Sequence, residues 1–267
     1  MFVGRHGLRR RVGHGYRRDW LELGANEPYF AVLTEERYLR ERLDESARQS
    51  FWASGEAHVE RLAGLVRDHF RFELRPQRAL DYGCGVGRVL LPLARRSLRA
   101  VGADVSPAML AEARRACEER GLDGVDLVEI GEDLAALSGD FDLVHSFALL
   151  QHLPAAAGME LIAGLLERLV PGGLAMLHVT YARPPTGLGR ALLRRWRGVA
   201  PSLRGAANLL AGRRWGEPYM QMNAYDVGAV LTLLRDTGCQ RIFTTFTDHG
   251  GMRGVMLIAA KRSVPSL

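Results

Sequence analysis

From Arg78 to Lys261 the chain alternates short apolar runs of strand length with stretches of helical period, and that alternation is the strongest constraint on its fold. RALDY (78–82), LRAVGADV (98–105), VDLVEI (125–130), FDLVHS (141–146) and GLAMLHVTY (173–181) read as strands. Helices are predicted between them: Gly87 to Arg96, a stretch opened by Ser106-Pro107 and running to Arg120, and Ala155 to Val170, ended by Pro171-Gly172-Gly173. Strand, helix and strand in repetition make βαβ units with right-handed crossovers, hence a mainly parallel sheet. The end of the chain breaks the rule. RIFTTFT (241–247) and VMLIAAK (255–261) follow a helix predicted over Ala224 to Thr237 and are separated only by Asp248 to Gly254. A parallel connection needs about a dozen residues, so these two strands form an antiparallel hairpin.

Upstream of Pro76, Thr34 to Trp52 and Ser54 to Phe70 read as two helices, the second with Val59, Leu62, Leu65, Val66 and Phe70 on one stripe. Met1 to Arg18 carries Arg5, Arg9, Arg10, Arg11, Arg17 and Arg18 with no acid before Asp19, and reads as a disordered basic tail. Arginine recurs between Ala182 and Tyr219, where Arg183, Arg190, Arg194, Arg195, Arg197, Arg204, Arg213 and Arg214 face one acid, Glu217. A mostly helical insertion over the sheet's active edge is expected there. The net charge of +6 belongs almost wholly to arginine, since Lys261 is the only lysine, so coding bias explains it as well as an anionic partner does. Cys84, Cys117 and Cys239 show no CxxC spacing, which indicates neither a disulfide framework nor a zinc site. No run approaches the length of a membrane span, and a reducing cytoplasm is the expected compartment.

LDYGCGVGRV (80–89) couples the first strand to the first helix. A dinucleotide fingerprint is GxGxxG with an acid about 20 residues on. Here Gly83, Gly85 and Gly87 are spaced GxGxG, and Asp81 precedes them inside the strand end. A carboxylate at that place repels a pyrophosphate and attracts an ammonium, so a ligand with an amino acid end and an adenosine end fits better than a nicotinamide dinucleotide. Asp104 ends the second strand where a carboxylate can accept both ribose hydroxyls.

Taken together, LDYGCGVGRV, GADVSPAML, FDLVHSFALLQHLP and LVPGGLAMLHV resemble in order and spacing the motifs of class I S-adenosylmethionine-dependent methyltransferases. The resemblance runs from Arg78 to Lys261. It implies an α/β fold with a Rossmann-like, seven-stranded, mostly parallel sheet of order 3-2-1-4-5-7-6, the last strand antiparallel, helices on both faces and a helical lid. It implies S-adenosylmethionine as cofactor, with Gly83, Gly85 and Gly87 beneath it, Asp104 on the ribose and Asp81 organising the loop and the methionine end. Glu132 and Asp133 are both candidates for the adenine amine. Ser146 and Phe147 are expected to flank the methionine moiety, Trp52 in FWASGE to contact the cofactor, and Arg88 either to reach the methionine carboxylate or to stand solvated at the helix start. The organisation expected is a basic tail and lead-in (1–33), a helical lid segment (34–75), a cofactor-binding core (76–181), an arginine-rich acceptor lid (182–223) and completion of the sheet (224–267).

Methyl transfer from a sulfonium is an in-line displacement, so catalysis is largely alignment, with a base added where the acceptor must lose a proton. His152 and His249 lie at strand ends on the carboxyl edge and are the candidate bases; His145 and His178 lie inside strands and are expected to pack against helices. No Asp and Asn cluster marks a divalent ion at the fourth and fifth strand ends, so a metal-independent enzyme is expected. The acceptor expected is a small molecule, a natural product or a saccharide, methylated on oxygen, with an anionic acceptor among the alternatives. The basic insertion leaves peripheral membrane contact open, though a solvated helical cap is favoured. A nucleic-acid methyltransferase is the first alternative, disfavoured because Ser146-Phe147-Ala148-Leu149 is not the Pro-Pro-aromatic segment of base-amine enzymes. A non-catalytic S-adenosylmethionine-binding protein is the second.

Overall fold

A computed structural model describes residues 10–131, 134–183 and 220–263, with side chains from residue 17 onward. Its sheet is built from β1 (Arg78–Tyr82), β2 (Arg99–Asp104), β3 (Val125–Glu129), β4 (Phe141–Ser146), β5 (Leu169–Ala182), β6 (Cys239–His249) and β7 (Met252–Lys261). The seven strands lie in the order β3-β2-β1-β4-β5-β7-β6. The first five run parallel, and β7 is antiparallel to both β5 and β6, as the short terminal connection requires.

The helices are α1 (Arg10–Asn26), α2 (Pro28–Val32), α3 (Glu45–Phe70), α4 (Leu90–Ala94), α5 (Pro107–Glu118), α6 (Ala155–Glu167) and, after the strands of the core, α7 (Val227–Asp236). Local chemistry sets their starts. Ser106 Oγ accepts from Met109 N and Pro107 stands at the first position of α5. Asp226 Oδ1 accepts from Gly228 N and Ala229 N at the start of α7.

Three expectations need correction. The two helices predicted over Thr34 to Phe70 are one 26-residue helix, α3, capped by Asp44, whose Oδ1 accepts from Ala47 N at 2.8 Å; only short 3-10 turns precede it. Its second half lies on the sheet, where Val59, Leu62, Ala63, Val66 and Phe70 are buried in a layer with Ala79, Leu143, Met176, Met256 and Ile258. The basic tail is helical from Arg10, because Leu23 and Trp20 of α1 join an apolar cluster with Tyr29, Phe51 and Met109. Finally, Pro171-Gly172-Gly173 does not terminate α6; the helix stops at Glu167 and these residues lie inside β5, where its pairing with β4 shifts register. The arginine-rich insertion, residues 184–219, lies outside the described residues.

The opposite face of the sheet packs α6 and α7 through Ile162, Leu165, Leu166, Val230 and Leu234 on Leu80, Val144 and Val179. Burial of both faces explains why the strands read as near-continuous apolar runs. Polar side chains are admitted to the α3 face only near the carboxyl ends of the strands, at Asp81, His145 and His178. Among the described residues, no helix is long and apolar enough to cross a membrane.

Candidate active site

The loop after β1 turns through three left-handed glycines: φ is +79° at Gly83, +53° at Gly85 and +91° at Gly87. A side chain at any of them is disfavoured by that conformation and would also crowd a neighbouring side chain. A Cβ at Gly83 would stand 2.7 Å from Leu149 Cδ1, at Gly85 2.9 Å from Val32 Cγ2, and at Gly87 2.6 Å from Leu91 Cδ1. The result is a bare backbone cradle. Cys84 within it is buried against Leu90, Ala100 and Leu110, and burial raises its thiol pKa well above the ordinary range, so it is a packing residue and not a nucleophile.

Two carboxylates bracket the cradle. Asp104 Oδ2 accepts from Gly85 N at 2.9 Å and Oδ1 from Ser106 N at 2.9 Å, which ties the loop to the end of β2. Burial raises the Asp104 pKa, and the backbone donors of Ser106 and Gly85 partly offset this. Each oxygen keeps acceptor capacity beyond these bonds. Asp81 is held differently. It is buried, register-paired with His145 on β4, and its Oδ1 lies 2.7 Å from His145 Nδ1. His145 Nε2 in turn meets His58 Nε2 of α3 at 3.2 Å, and His58 Nδ1 lies 3.5 Å from Arg61 Nη2.

Beside this chain, Phe147 is walled by rings. His58 lies 4.3 Å from it, His178 4.7 Å and His249 5.8 Å, centroid to centroid, with the Arg88 guanidinium 5.9 Å over its face. Desolvation lowers the His58 pKa to about 2 and that of His178 to about 3, so both rings are neutral at pH 7. His178 Nε2 bonds Thr247 Oγ1 at 2.8 Å, whereas its buried Nδ1 has no partner. Arg88 is also buried. Its Nη1 donates to Ser54 Oγ at 3.3 Å and its Nε has no partner. The solvated alternative for Arg88 is thereby excluded. Among the described residues, no three His, Cys, Asp or Glu side chains are arranged to hold a metal ion.

The remaining expected residues fall in different places. Ser146 is fully buried and its Oγ donates to Tyr82 O at 3.0 Å, bracing β4 against β1. Trp52 packs against the apolar cluster that includes Val86 of the loop, edge-on to Tyr29 and Phe51 and beneath the Arg120 guanidinium. Glu132 and Asp133 lie outside the described residues.

His152 ends a 3-10 turn, Leu150–His152, reached through Ala148, which adopts a left-handed φ of 57°. Its Nδ1 donates to Gln221 O at 2.7 Å, which leaves Nε2 as the acceptor, 3.3 Å from the Gln151 amide nitrogen. Thr180 Oγ1 fixes that amide by donating to Gln151 Oε1 at 2.8 Å. Trp20 of α1 stands edge-on to the imidazole at 4.7 Å, and burial lowers the His152 pKa to about 4. His249 is exposed at the end of β6, its ring against Phe147 and 5.7 Å from His178. The two candidate bases thus have separate surroundings. Asp248 does not orient His249: its Oδ1 accepts from Gly251 N at 2.7 Å and shapes the hairpin turn.

Sequence reasoning missed His58, His145 and His178 as members of this site. The available signal was register: Asp81 and His145 stand at matching depths on neighbouring parallel strands, on the face that α3 covers.

Residues 79–173 match the model of a family described as a methyltransferase domain. Over 117 residues the chain is 38% identical to the ubiquinone biosynthesis O-methyltransferase of Methylocella silvestris, covering 43% of this chain and 44% of that protein. Over 121 residues it is 31% identical to the magnesium-protoporphyrin O-methyltransferase of Synechocystis, covering 45% of this chain and 50% of that protein. The matches span about half the length of these curated relatives. Among solved structures, magnesium protoporphyrin IX methyltransferase from Synechocystis with bound S-adenosylmethionine shares the fold, with a TM-score of 0.55 at 20% identity over 88% of this chain and 94% of that one. In its matched domain and its strand order the chain resembles the class I S-adenosylmethionine-dependent methyltransferases.

Proposed function

We propose that the protein transfers a methyl group from S-adenosylmethionine to an oxygen of a small-molecule acceptor, without a metal ion. The observation that carries this reading is the bare glycine cradle with one carboxylate at each side. A ligand with a cationic amino acid end and a ribose matches two separated acceptors, whereas a pyrophosphate would meet Asp81. In this reading Gly83, Gly85 and Gly87 underlie the cofactor, Asp104 takes the ribose hydroxyls and Asp81 the ammonium. Glu132 or Asp133 serves the adenine amine. Phe147 and Arg88 border the methionine end, where the unpartnered Arg88 Nε suits its carboxylate. Ser146 acts through the backbone, and Trp52 shapes the helical layer behind the loop.

The O-methyltransferase names of the relatives support oxygen as the acceptor atom. His152 Nε2 and His249 are proposed to receive or orient the acceptor hydroxyl. The acceptor is a natural product or a saccharide, and Arg88 together with the arginine-rich residues 182–223 favours an anionic one. Cytoplasmic location remains part of the proposal.

Calorimetric titration with S-adenosylmethionine, S-adenosylhomocysteine and NADH tests the cofactor: micromolar binding of the first two with NADH silent is expected. Label transfer from methyl-labelled cofactor to a panel of phenols, carboxylic acids and sugars then tests the acceptor, and is expected to survive EDTA. NADH binding without adenosyl binding would overturn the cofactor assignment.

A further inference from the structure

Asp81 stands at the end of a chain that runs through the buried His145 and His58 to the exposed Arg61, and the groups at its two ends set its proton order. An ionised carboxylate only accepts, so His145 Nδ1, facing Asp81 Oδ1 at 2.7 Å, carries the proton. A guanidinium only donates, so His58 Nδ1, 3.5 Å from Arg61 Nη2, is an acceptor and the His58 proton sits on Nε2. The two Nε2 atoms meet at 3.2 Å with His58 donating and His145 accepting. Each ring is held in one tautomer, and every bond in the chain points toward Asp81.

Packing alone gives no reason for this arrangement. Val59, Ala79, Leu143 and Met176 line it on one side and Arg88 and His178 stand on the other, yet an apolar pair at 58 and 145 would fill the same space without desolvating two imidazoles. The chain also runs across three elements, from α3 through β4 to β1, and ends two residues before the glycine cradle.

We propose that His145 and His58 are positioning residues for the cofactor: they aim Asp81 so that its second oxygen, Oδ2, meets the ammonium of the amino acid end. This rests on the cofactor reading above and adds two residues that no glycine-loop motif contains. Neither histidine touches the reacting atoms. Their effect is confined to one end of the ligand, and that confinement is what separates positioning from general support of the fold.

The test is calorimetric titration of the full chain with S-adenosylhomocysteine and with 5′-methylthioadenosine, which keeps the adenosine and sulfur but lacks the amino acid end. His145→Phe is expected to weaken S-adenosylhomocysteine at least about tenfold, the scale of one charge-assisted hydrogen bond, and methylthioadenosine less than about threefold. His145→Asn, whose amide N–H can stand where Nδ1 stood, is expected to restore most of the loss. His58→Phe removes only the donor to His145 Nε2 and leaves the proton on Nδ1. It is expected to give a smaller loss, again confined to S-adenosylhomocysteine, and to shift the His145 Nε2 resonance in nitrogen-15 NMR without moving the proton from Nδ1. Should His145→Phe fail to fold, His58→Phe and His145→Asn carry the test. Equal losses for both ligands would make the histidines merely structural, and no loss for either would remove them from the site; each result overturns the inference. Wild-type protein silent toward both ligands would overturn the cofactor reading itself.

Discussion

The two carboxylates beside the glycine cradle do related work by opposite means. Asp104 is tied by backbone amides, of Gly85 and Ser106, whose positions follow from the local turn. Asp81 is tied by side chains, His145 and behind it His58, brought in from β4 and α3. The backbone donors do not titrate and do not depend on which side chains their residues carry. The side-chain arrangement depends on two imidazoles being held in place within a desolvated layer. One end of the cradle is therefore built locally, and the other depends on the whole α3 face.

Acid is expected to expose this difference most strongly. Burial lowers the pKa of His58 to about 2, of His178 to about 3 and of His152 to about 4, against about 6.5 for an unfolded histidine. Below about pH 6.5 the unfolded chain binds protons that the folded chain refuses, so stability falls as pH falls, by up to about 1.4 kcal/mol per pH unit for each such ring. The decline continues until the folded values are reached. Asp104 opposes it in part, since its raised pKa favours proton uptake by the folded state in the acid range. Urea unfolding between pH 7 and pH 5 should show the loss, and His58→Phe should reduce its slope. A flat profile would contradict the buried, neutral assignment.

Next in size is Gly55→Ala, which attacks the docking of α3 on the loop. A Cβ there would stand 1.9 Å from Arg88 O, a backbone atom that cannot rotate away. The cost is expected to be at least about 2 kcal/mol in stability, in the overpacking range. Adenosyl affinity should fall with it, because Arg88 and His58 are displaced together; a neutral result by thermal unfolding would show that α3 is loosely docked.

The smallest effects are expected at the candidate bases. His152→Ala should lower kcat roughly tenfold, less than a well-matched general base, because a ring of pKa about 4 is a weak proton acceptor. His249→Ala, at an exposed position, should act mainly on KM and by only about threefold, the scale of a partly solvated contact. If both variants keep more than about a third of wild-type turnover, alignment without a base is the better mechanism.

The parts of the molecule that could be read in the sequence are those set by local pattern. The β1 and β4 boundaries at Arg78–Tyr82 and Phe141–Ser146, the Ser106-Pro107 helix start and the terminal hairpin follow from periodicity, capping and connection length. The Asp104 to Gly85 bond lies inside one strand–turn–helix unit and was accessible in the same way, although the ribose role suggested by sequence gave no hint that backbone amides already occupy it. Errors arose where tertiary packing decides. Phe51 and Trp52 lie inside α3 because the helix passes from a cluster with Tyr29, Tyr38 and Met109 to a layer on the sheet, two separate apolar faces that read in sequence as two helices. His145 and His178 were correctly placed inside strands, yet their partners, Asp81 and Thr247, are 64 and 69 residues away in the chain. No local rule reaches that far.

The most direct test of the central claim, that the two carboxylates hold opposite ends of one cofactor, is to titrate Asp81→Asn and Asp104→Asn with S-adenosylhomocysteine and 5′-methylthioadenosine by calorimetry. Asp81→Asn is expected to lose at least about tenfold for S-adenosylhomocysteine alone, and Asp104→Asn to lose a similar factor for both ligands, since both contain the ribose. Equal losses for both ligands in Asp81→Asn, or unchanged affinity in Asp104→Asn, would contradict that division.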